Sequence, residues 1–376
     1  MAYTFITPGR TFLGEGALEA AEKSLASLGK RTLIVTGNIV KKGEAFTRLI
    51  AMLEKNGVVC TVFSDIPGEP DDRMVAAGVA AYKAAKCDSI VGIGGGSPLD
   101  SAKAIAVGTK FSGSVCALAG KEIKGDFPPM ALIPTTAGTG SEATKFTVIT
   151  DAEKGAKLLL RGDALLPKIA IVDPAFTRSA PAKLTAYTGM DALTHAVEAY
   201  TSQKANPMTA IFAVDAVKRI FRSLPIAFKD GSDLAAREDM AIAAYDAGVC
   251  ISNASVTIVH GMSRPIGAKF HVAHGLSNAM LIAPCLAFAA KGAPEKFAAL
   301  ADEVGISGGA DGLIAALSEI TRTLGIPTLA EYGIAKDEFR VQISQMATEA
   351  MQSGSPGNTL RDVTVSDMEA IYESLY

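Results

Sequence analysis

The chain is short of several things, and each shortage narrows what it does. It has no CxxC pair. Its five cysteines, Cys60, Cys87, Cys116, Cys250 and Cys285, are scattered and odd in number. That pattern fits buried reduced thiols in a cytoplasmic enzyme, not a disulfide framework. A net charge of only -3 over 376 residues leaves no electrostatic footprint for nucleic acid or an anionic membrane. No apolar run reaches the roughly 20 residues needed to cross a bilayer. The opening MAYTFITPGR lacks a basic region followed by an apolar core, so it does not read as a secretion signal. Internal repeats, low-complexity tracts and a GxGxxG of the usual form are all missing. Histidine is scarce, with four in the whole chain.

What remains is a globular balance, with 49% apolar and 20% charged residues. A chain of this length exceeds one ordinary core, so two domains are expected. In the first half, short β-branched runs alternate with helical stretches. RTLIVTG (31–37), VVCTVFSD (58–65), DSIVGIGG (88–95) and ALIPTT (131–136) read as buried strands, and segment 71–86 reads as a helix between two of them. Near-continuous apolar runs in a βαβ rhythm predict a doubly wound parallel sheet covered on both faces. After Ile169-Ala170-Ile171-Val172-Asp173-Pro174 the texture turns rich in Ala, Met and Leu. The expectation is an α/β dinucleotide-binding domain over 1–178 and an all-α domain over 179–376. Pro181 starts the first helix of the second. Residues 352–359, QSGSPGNT, read as a loop.

GIGGGSPLDSAKAIA begins at Gly92, directly after one of these strands and before a helix. Gly94, Gly95 and Gly96 allow a tight turn and close approach to a ligand. Ser97 reads as the N-cap, Pro98 as the first helical residue and Asp100 as a capping-box acid. A helix N-terminus behind glycines favours a phosphate, through its free N–H groups and its dipole. The alternative is a tight turn with no ligand. A second loop after a strand, Pro134-Thr135-Thr136-Ala137-Gly138-Thr139-Gly140-Ser141-Glu142, offers N–H and hydroxyl donors suited to a pyrophosphate or ribose. Its alternative is a plain surface loop. Together the two loops favour a dinucleotide.

The four histidines, His195, His260, His271 and His274, all fall in the helical half. Asp191 and His195 are four apart on one predicted helix face. His260 and His274 lie further along. Three imidazoles and a carboxylate with no sulfur suit Fe(II) or Zn(II). His271, three residues before His274, reads as a further ligand, a proton shuttle or a loop residue.

GGGSPLDSAK, PTTAGTGSE, LPKIAIVDPAFT, TAYTGMDALTHAVEAYTS and HGMSRPIGAKFHVAHGLSNAML together resemble the iron-containing (group III) alcohol dehydrogenase family. The resemblance runs essentially end to end. It implies a metal held by Asp191, His195, His260 and His274. It implies a cofactor cleft lined by Gly94, Gly95, Gly96, Ser97, Asp100, Lys103, Thr135, Thr136 and Ser141, to which Thr139 is added from the same loop. It also implies an active site between the two domains, a homodimer or larger assembly, and a small alcohol or aldehyde substrate. Iron is carried over from the family; by intrinsic affinity such a ligand set binds Zn(II) more tightly. A dehydroquinate synthase-like lyase, which also combines NAD with a divalent metal, is the alternative from another class.

Two positions depart from the family. Members often read H-x-x-x-H where this chain has HGMSR, so Arg264 replaces a second histidine. It is expected either to be paired with a nearby acid or to face the substrate and favour one bearing an anionic group. At Gly37, followed by Asn38, many relatives place an acid that bonds the adenosine ribose. Its absence, with Lys41 and Lys42 close by, leans the cofactor expectation from NAD slightly towards NADP. His271 is expected to carry protons to solvent.

Overall fold

Strands that are apolar on both faces need cover on both sides, and the first half of the chain supplies it. The computed structural model describes residues 2–376. Its backbone divides into two compact units, Ile6–Ala180 and Pro181–Tyr376, the latter joined by the N-terminal segment that ends at Phe5.

In the first unit, β1 (Arg10–Leu13), β2 (Arg31–Thr36), β3 (Val59–Phe63), β4 (Ser89–Gly94), β5 (Met130–Pro134) and β8 (Ile169–Val172) form one sheet in the order β1-β8-β5-β4-β2-β3. Every pairing in it is parallel. Successive residues serve opposite faces. Leu33, Val35, Ile90, Met130 and Leu132 pack with α4 (Asp72–Ala84) and α5 (Gly96–Gly108). Ile34, Val91, Ile93, Ala131 and Ile133 pack with α1 (Ala17–Ala20), α2 (Glu22–Ala26) and α3 (Glu44–Lys55). This double burial is why the strands read as unbroken apolar runs.

Two strands outside the sheet were missing from the sequence reading. β6 (Phe146–Asp151) and β7 (Ala156–Arg161) form an antiparallel hairpin. Its turn is fixed by the Asp151 carboxylate, which accepts from Glu153 N and Lys154 N, and by Gly155. The sequence did not mark β6, because its buried positions are Thr147, Ile149 and Asp151 while Phe146 and Val148 are less buried. The hairpin is tied to α5 by Lys103. This residue is fully buried, and its Nζ donates to Thr144 O at 2.8 Å, Thr144 Oγ1 at 2.9 Å and Phe146 O at 2.8 Å.

The second unit is helical. α6 (Ala182–Tyr200), α7 (Pro207–Lys229) and α8 (Leu234–Ala254) pack on one another, and α10 (His274–Ala290) lies on α6 and on α9 (Ile258–Phe270). α11 (Pro294–Val304), α12 (Gly309–Thr323), α13 (Leu329–Tyr332), α14 (Lys336–Gln352) and α15 (Val365–Glu373) complete it. No single helix among the described residues is long and apolar enough to cross a membrane. Between α8 and α9 the chain bends by 105°. Ser255, at a positive φ of 66°, opens that bend.

Lys103 gives the fold its test. Lys103→Met leaves the carbonyls of Thr144 and Phe146 buried without a donor, which costs roughly 3 kcal/mol. Urea denaturation is expected to show that loss, with the midpoint falling and the slope unchanged.

Candidate metal centre

The centre is assembled from three helices of the second unit. α6 is buried on all sides from Gly189 to Tyr200, an apolar run interrupted at Asp191, Thr194, His195 and Glu198. Asp191, His195 and Glu198 follow an i, i+4, i+7 pattern, so they share one face. α10 begins at His274, and its next residue is Gly275. A Cβ there would sit 2.3 Å from the Tyr187 carbonyl and 3.3 Å from the Asp191 Cβ. Only glycine lets the first turn of α10 lie against α6, and that contact brings His274 to Asp191.

The third helix is set by Glu198. Its Oε1 accepts from Thr257 Oγ1 at 2.7 Å, Val259 N at 2.6 Å and His260 N at 3.4 Å, so a carboxylate caps the N-terminus of α9. Its Oε2 lies 2.5 Å from His260 Nδ1. With the proton on Nδ1, the Nε2 lone pair of His260 is left free and pointed inwards.

One ligand atom each from Asp191, His195, His260 and His274 falls within 4.8 Å of the others. The Nε2 atoms of His260 and His274 are each 3.6 Å from Asp191 Oδ1, and that of His195 is 3.8 Å away. Ligands about 2.1 Å from a tetrahedral ion lie ~3.4 Å apart, so the spacing fits a first-row divalent metal. Burial alone would raise the Asp191 pKa, but the three imidazoles hold its carboxyl well below the ordinary range. Burial likewise pushes His274 down to about 3, so its imidazole is neutral at pH 7, as a ligand must be. Four lone pairs converging in a buried space repel one another unless something positive lies among them. Asn278 supplies part of that: its Nδ2 is 2.7 Å from Asp191 Oδ1 and 3.1 Å from His260 Nε2, while its Oδ1 is buried with no partner. The donor set fits a cation, and Asp191, His195, His260 and His274 are the residues that would hold it.

The other anticipated residues fall elsewhere. His271 ends α9 in a left-handed conformation, φ 54°, and is exposed. Among the described residues its ring touches none of the four ligands. Arg264 lies in α9, one turn after His260. Its Nη1 donates to Ser355 Oγ at 3.0 Å, and among the described residues no carboxylate is within ion-pairing distance. The expected pairing with an acid is therefore absent.

In the first unit, Gly94 turns the chain at φ 152°, where a Cβ would strike Pro98 at 2.7 Å. The capping expectations change here. Gly95 is the N-cap, with no side-chain bond, and Gly96 and Ser97 are already helical, so Ser97 does not cap. Asp100 closes no capping box either. Its Oδ1 accepts from Ser141 Oγ at 2.6 Å and its Oδ2 from Val148 N at 2.9 Å. Asp100, Lys103 and Ser141 thus spend their polar atoms pinning the 141–148 segment to α5. Thr135, Thr136 and Thr139 stay half-buried around the turn. The side-chain-free N-terminus of α5 retains the open N–H groups that an anion needs. Gly37 lies against the same turn, 3.9 Å from Pro98 when given a Cβ, and Asn38 is exposed beside it.

Sequence reasoning missed Glu198 and Asn278. Glu198 was legible as the third polar position on an otherwise apolar helix face; Asn278 stands four residues after His274 but carried no signal of its own. Glu198→Gln is expected to weaken metal binding by about 10–100-fold, read by chelator competition. His271→Asn, in contrast, is expected to leave the pH–rate profile where it is.

Two family models cover nearly the whole chain. The description "iron-containing alcohol dehydrogenase" matches residues 8–174, and "Fe-containing alcohol dehydrogenase family, C-terminal" matches residues 185–376. The chain is 34% identical to the 1,3-propanediol dehydrogenase of Klebsiella pneumoniae, covering 100% of this chain and 99% of that protein. It is also 34% identical to the NAD-dependent methanol dehydrogenase of Bacillus methanolicus, over 98% and 99% of the two chains. Among solved structures, a 1,3-propanediol oxidoreductase superposes with a TM-score of 0.96 at 34% identity over 100% of both chains. The sulfoacetaldehyde reductase of Bifidobacterium kashiwanohense, in complex with NAD+, gives 0.90 at 29% identity over 100% and 99%. These matches favour an alcohol dehydrogenase over the dehydroquinate synthase-like lyase, and the chain belongs to the iron-containing alcohol dehydrogenase family.

Proposed function

We propose that the protein is a cytoplasmic, iron-dependent, NAD(P)-linked reductase of short aldehydes and dehydrogenase of the matching alcohols. The convergence of one carboxylate and three imidazoles, held by Glu198 and closed by Gly275, carries this reading. A divalent metal bound there supplies Lewis acidity towards the substrate oxygen. The chain's own residues do the rest. Asp191 stays ionised and His274 stays neutral at pH 7, so neither must lose a proton before it binds a metal. Glu198 fixes the ring of His260. The N-terminus of α5 and the hydroxyls of Thr135, Thr136 and Thr139 suit the phosphates and ribose of a dinucleotide. One aldehyde and one reduced nicotinamide give one alcohol and one oxidised nicotinamide, with one proton taken up.

Iron rests on the family, since the ligand set itself favours Zn(II) over Fe(II). Acceptance of NADP rests on Gly37, where an acid would repel a 2′-phosphate. It rests also on Lys42, which is exposed, and on Lys41, whose Nζ is fixed 3.2 Å from Ser64 Oγ. All five cysteines are free, which supports a reducing compartment.

Chelation followed by anaerobic add-back tests the reading. Fe(II) is expected to restore aldehyde-dependent NAD(P)H oxidation, with NADPH used at least as well as NADH. Full activity in the chelated protein would overturn the metal dependence. A specificity constant favouring NADH would overturn the cofactor lean.

A further inference from the structure

We infer that Arg264 selects the substrate, and that the substrate is a short aldehyde or alcohol whose far end bears a carboxylate or sulfonate. The inference rests on the metal-dependent reductase reading and names the substrate class of that same site.

Arg264 follows His260 by four residues on α9 and therefore shares its helix face. Helix side chains lean towards the N-terminus, so the guanidinium reaches back over the turn that carries the metal ligand. Gly261, in the turn between His260 and Arg264, packs on Pro356, the neighbour of Ser355, so the guanidinium bonded to Ser355 lies along the turn that carries His260. A guanidinium has five N–H donors. One bond is made, to Ser355 Oγ, and no acid pairs with it among the described residues. Ser355 is itself 7% exposed and steers the group without neutralising it.

Glu198, the other carboxylate of the centre, is fully engaged by Thr257, Val259 and His260. Lys269, on the same helix, is paired with Glu349 at 3.3 Å and adds no competing free cation. Charge counting points the same way. Asp191 and Glu198 together balance one divalent ion when the imidazoles are neutral, and the positive charge of Arg264 is left over. A partly buried cation without a counter-ion is costly unless an anion arrives with the ligand. Carboxylate and sulfonate oxygens match the planar donor fork, and a bidentate pair fixes orientation as well as charge. One helical turn is about 5.4 Å. A chain of two to four carbons spans that distance, with its reactive oxygen at the metal and its anionic end at Arg264. Orientation by the remote group is what makes such a contact count in catalysis.

The test compares 4-oxobutanoate and 2-oxoethanesulfonate with neutral butanal, using Fe(II)-loaded protein with NADH and NADPH. The expected kcat/KM for the anionic aldehydes exceeds that for butanal by at least tenfold. Arg264→Gln is expected to abolish the preference, chiefly by raising KM for the anionic pair, and Arg264→Lys to retain part of it. Calorimetry with propane-1-sulfonate is expected to show binding to the parent protein and at least tenfold weaker binding to Arg264→Gln. Metal content and melting temperature verify that both variants fold. Turnover of butanal without any anionic preference would overturn the inference and leave the reductase reading standing. So would an equal loss on all three aldehydes in Arg264→Gln, which would give Arg264 a role at the metal instead. Failure to reduce any of the three would overturn the reductase reading, and the inference with it.

Discussion

A single buried carboxylate organises the centre. Glu198 accepts two backbone N–H groups and a threonine hydroxyl at the start of α9, and it holds the imidazole of His260 by Nδ1. Together with Asn358, which donates to Ser255 Oγ and Val256 O, these contacts fix the entry to α9 after the 105° bend from α8. Without Glu198, His260 would be free to turn its donor nitrogen inwards in place of its lone pair. An ionised carboxylate at such depth is expensive unless every oxygen is used. Here every oxygen is used, and the helix dipole adds to the stabilisation. Asp191 and His195 come from the same helix as Glu198, so fixing Glu198 against α9 sets three of the four ligands at once. The fourth, His274, depends on the bare Cα of Gly275 against the Tyr187 carbonyl.

The same economy governs the first unit. Lys103 and Asp100, both on α5, turn their charges to the 141–148 segment and lock the hairpin and the threonine loop against the helix. The mouth of α5 is then left without a side-chain cap, and Gly94 turns the strand into it. Charges that could have competed for an anion at that mouth are committed elsewhere. Polar groups that looked like binding residues therefore act as its frame.

Much of this was legible in the sequence, for reasons that differ by residue. The central strands were visible because burial on both faces leaves no polar alternation to blur them. Asp191 and His195 were visible because a helix imposes a four-residue spacing, and because histidine is rare enough here for a cluster to stand out. The β6–β7 hairpin was overlooked because its strands carry Thr, Lys and Asp amid the apolar positions. Ser97 and Asp100 imitate a capped helix start, but the chain enters α5 at Gly95, two residues earlier than a serine cap requires, and Asp100 is drawn to Ser141. His271 lies three residues before His274, and the sequence did not show that it closes α9 in a left-handed conformation at the surface. Arg264 was visible as a departure from the family, but its lack of an acid partner is a three-dimensional fact.

The central claim is that one divalent ion is held by Asp191, His195, His260 and His274. X-ray absorption at the iron edge of anaerobically prepared protein addresses it most directly. The account predicts about one ion per chain, surrounded only by nitrogen and oxygen at roughly 2.0–2.2 Å, with loss of the bound ion in Asp191→Asn. Sulfur in the first coordination sphere, or an unchanged spectrum in Asp191→Asn, would contradict it.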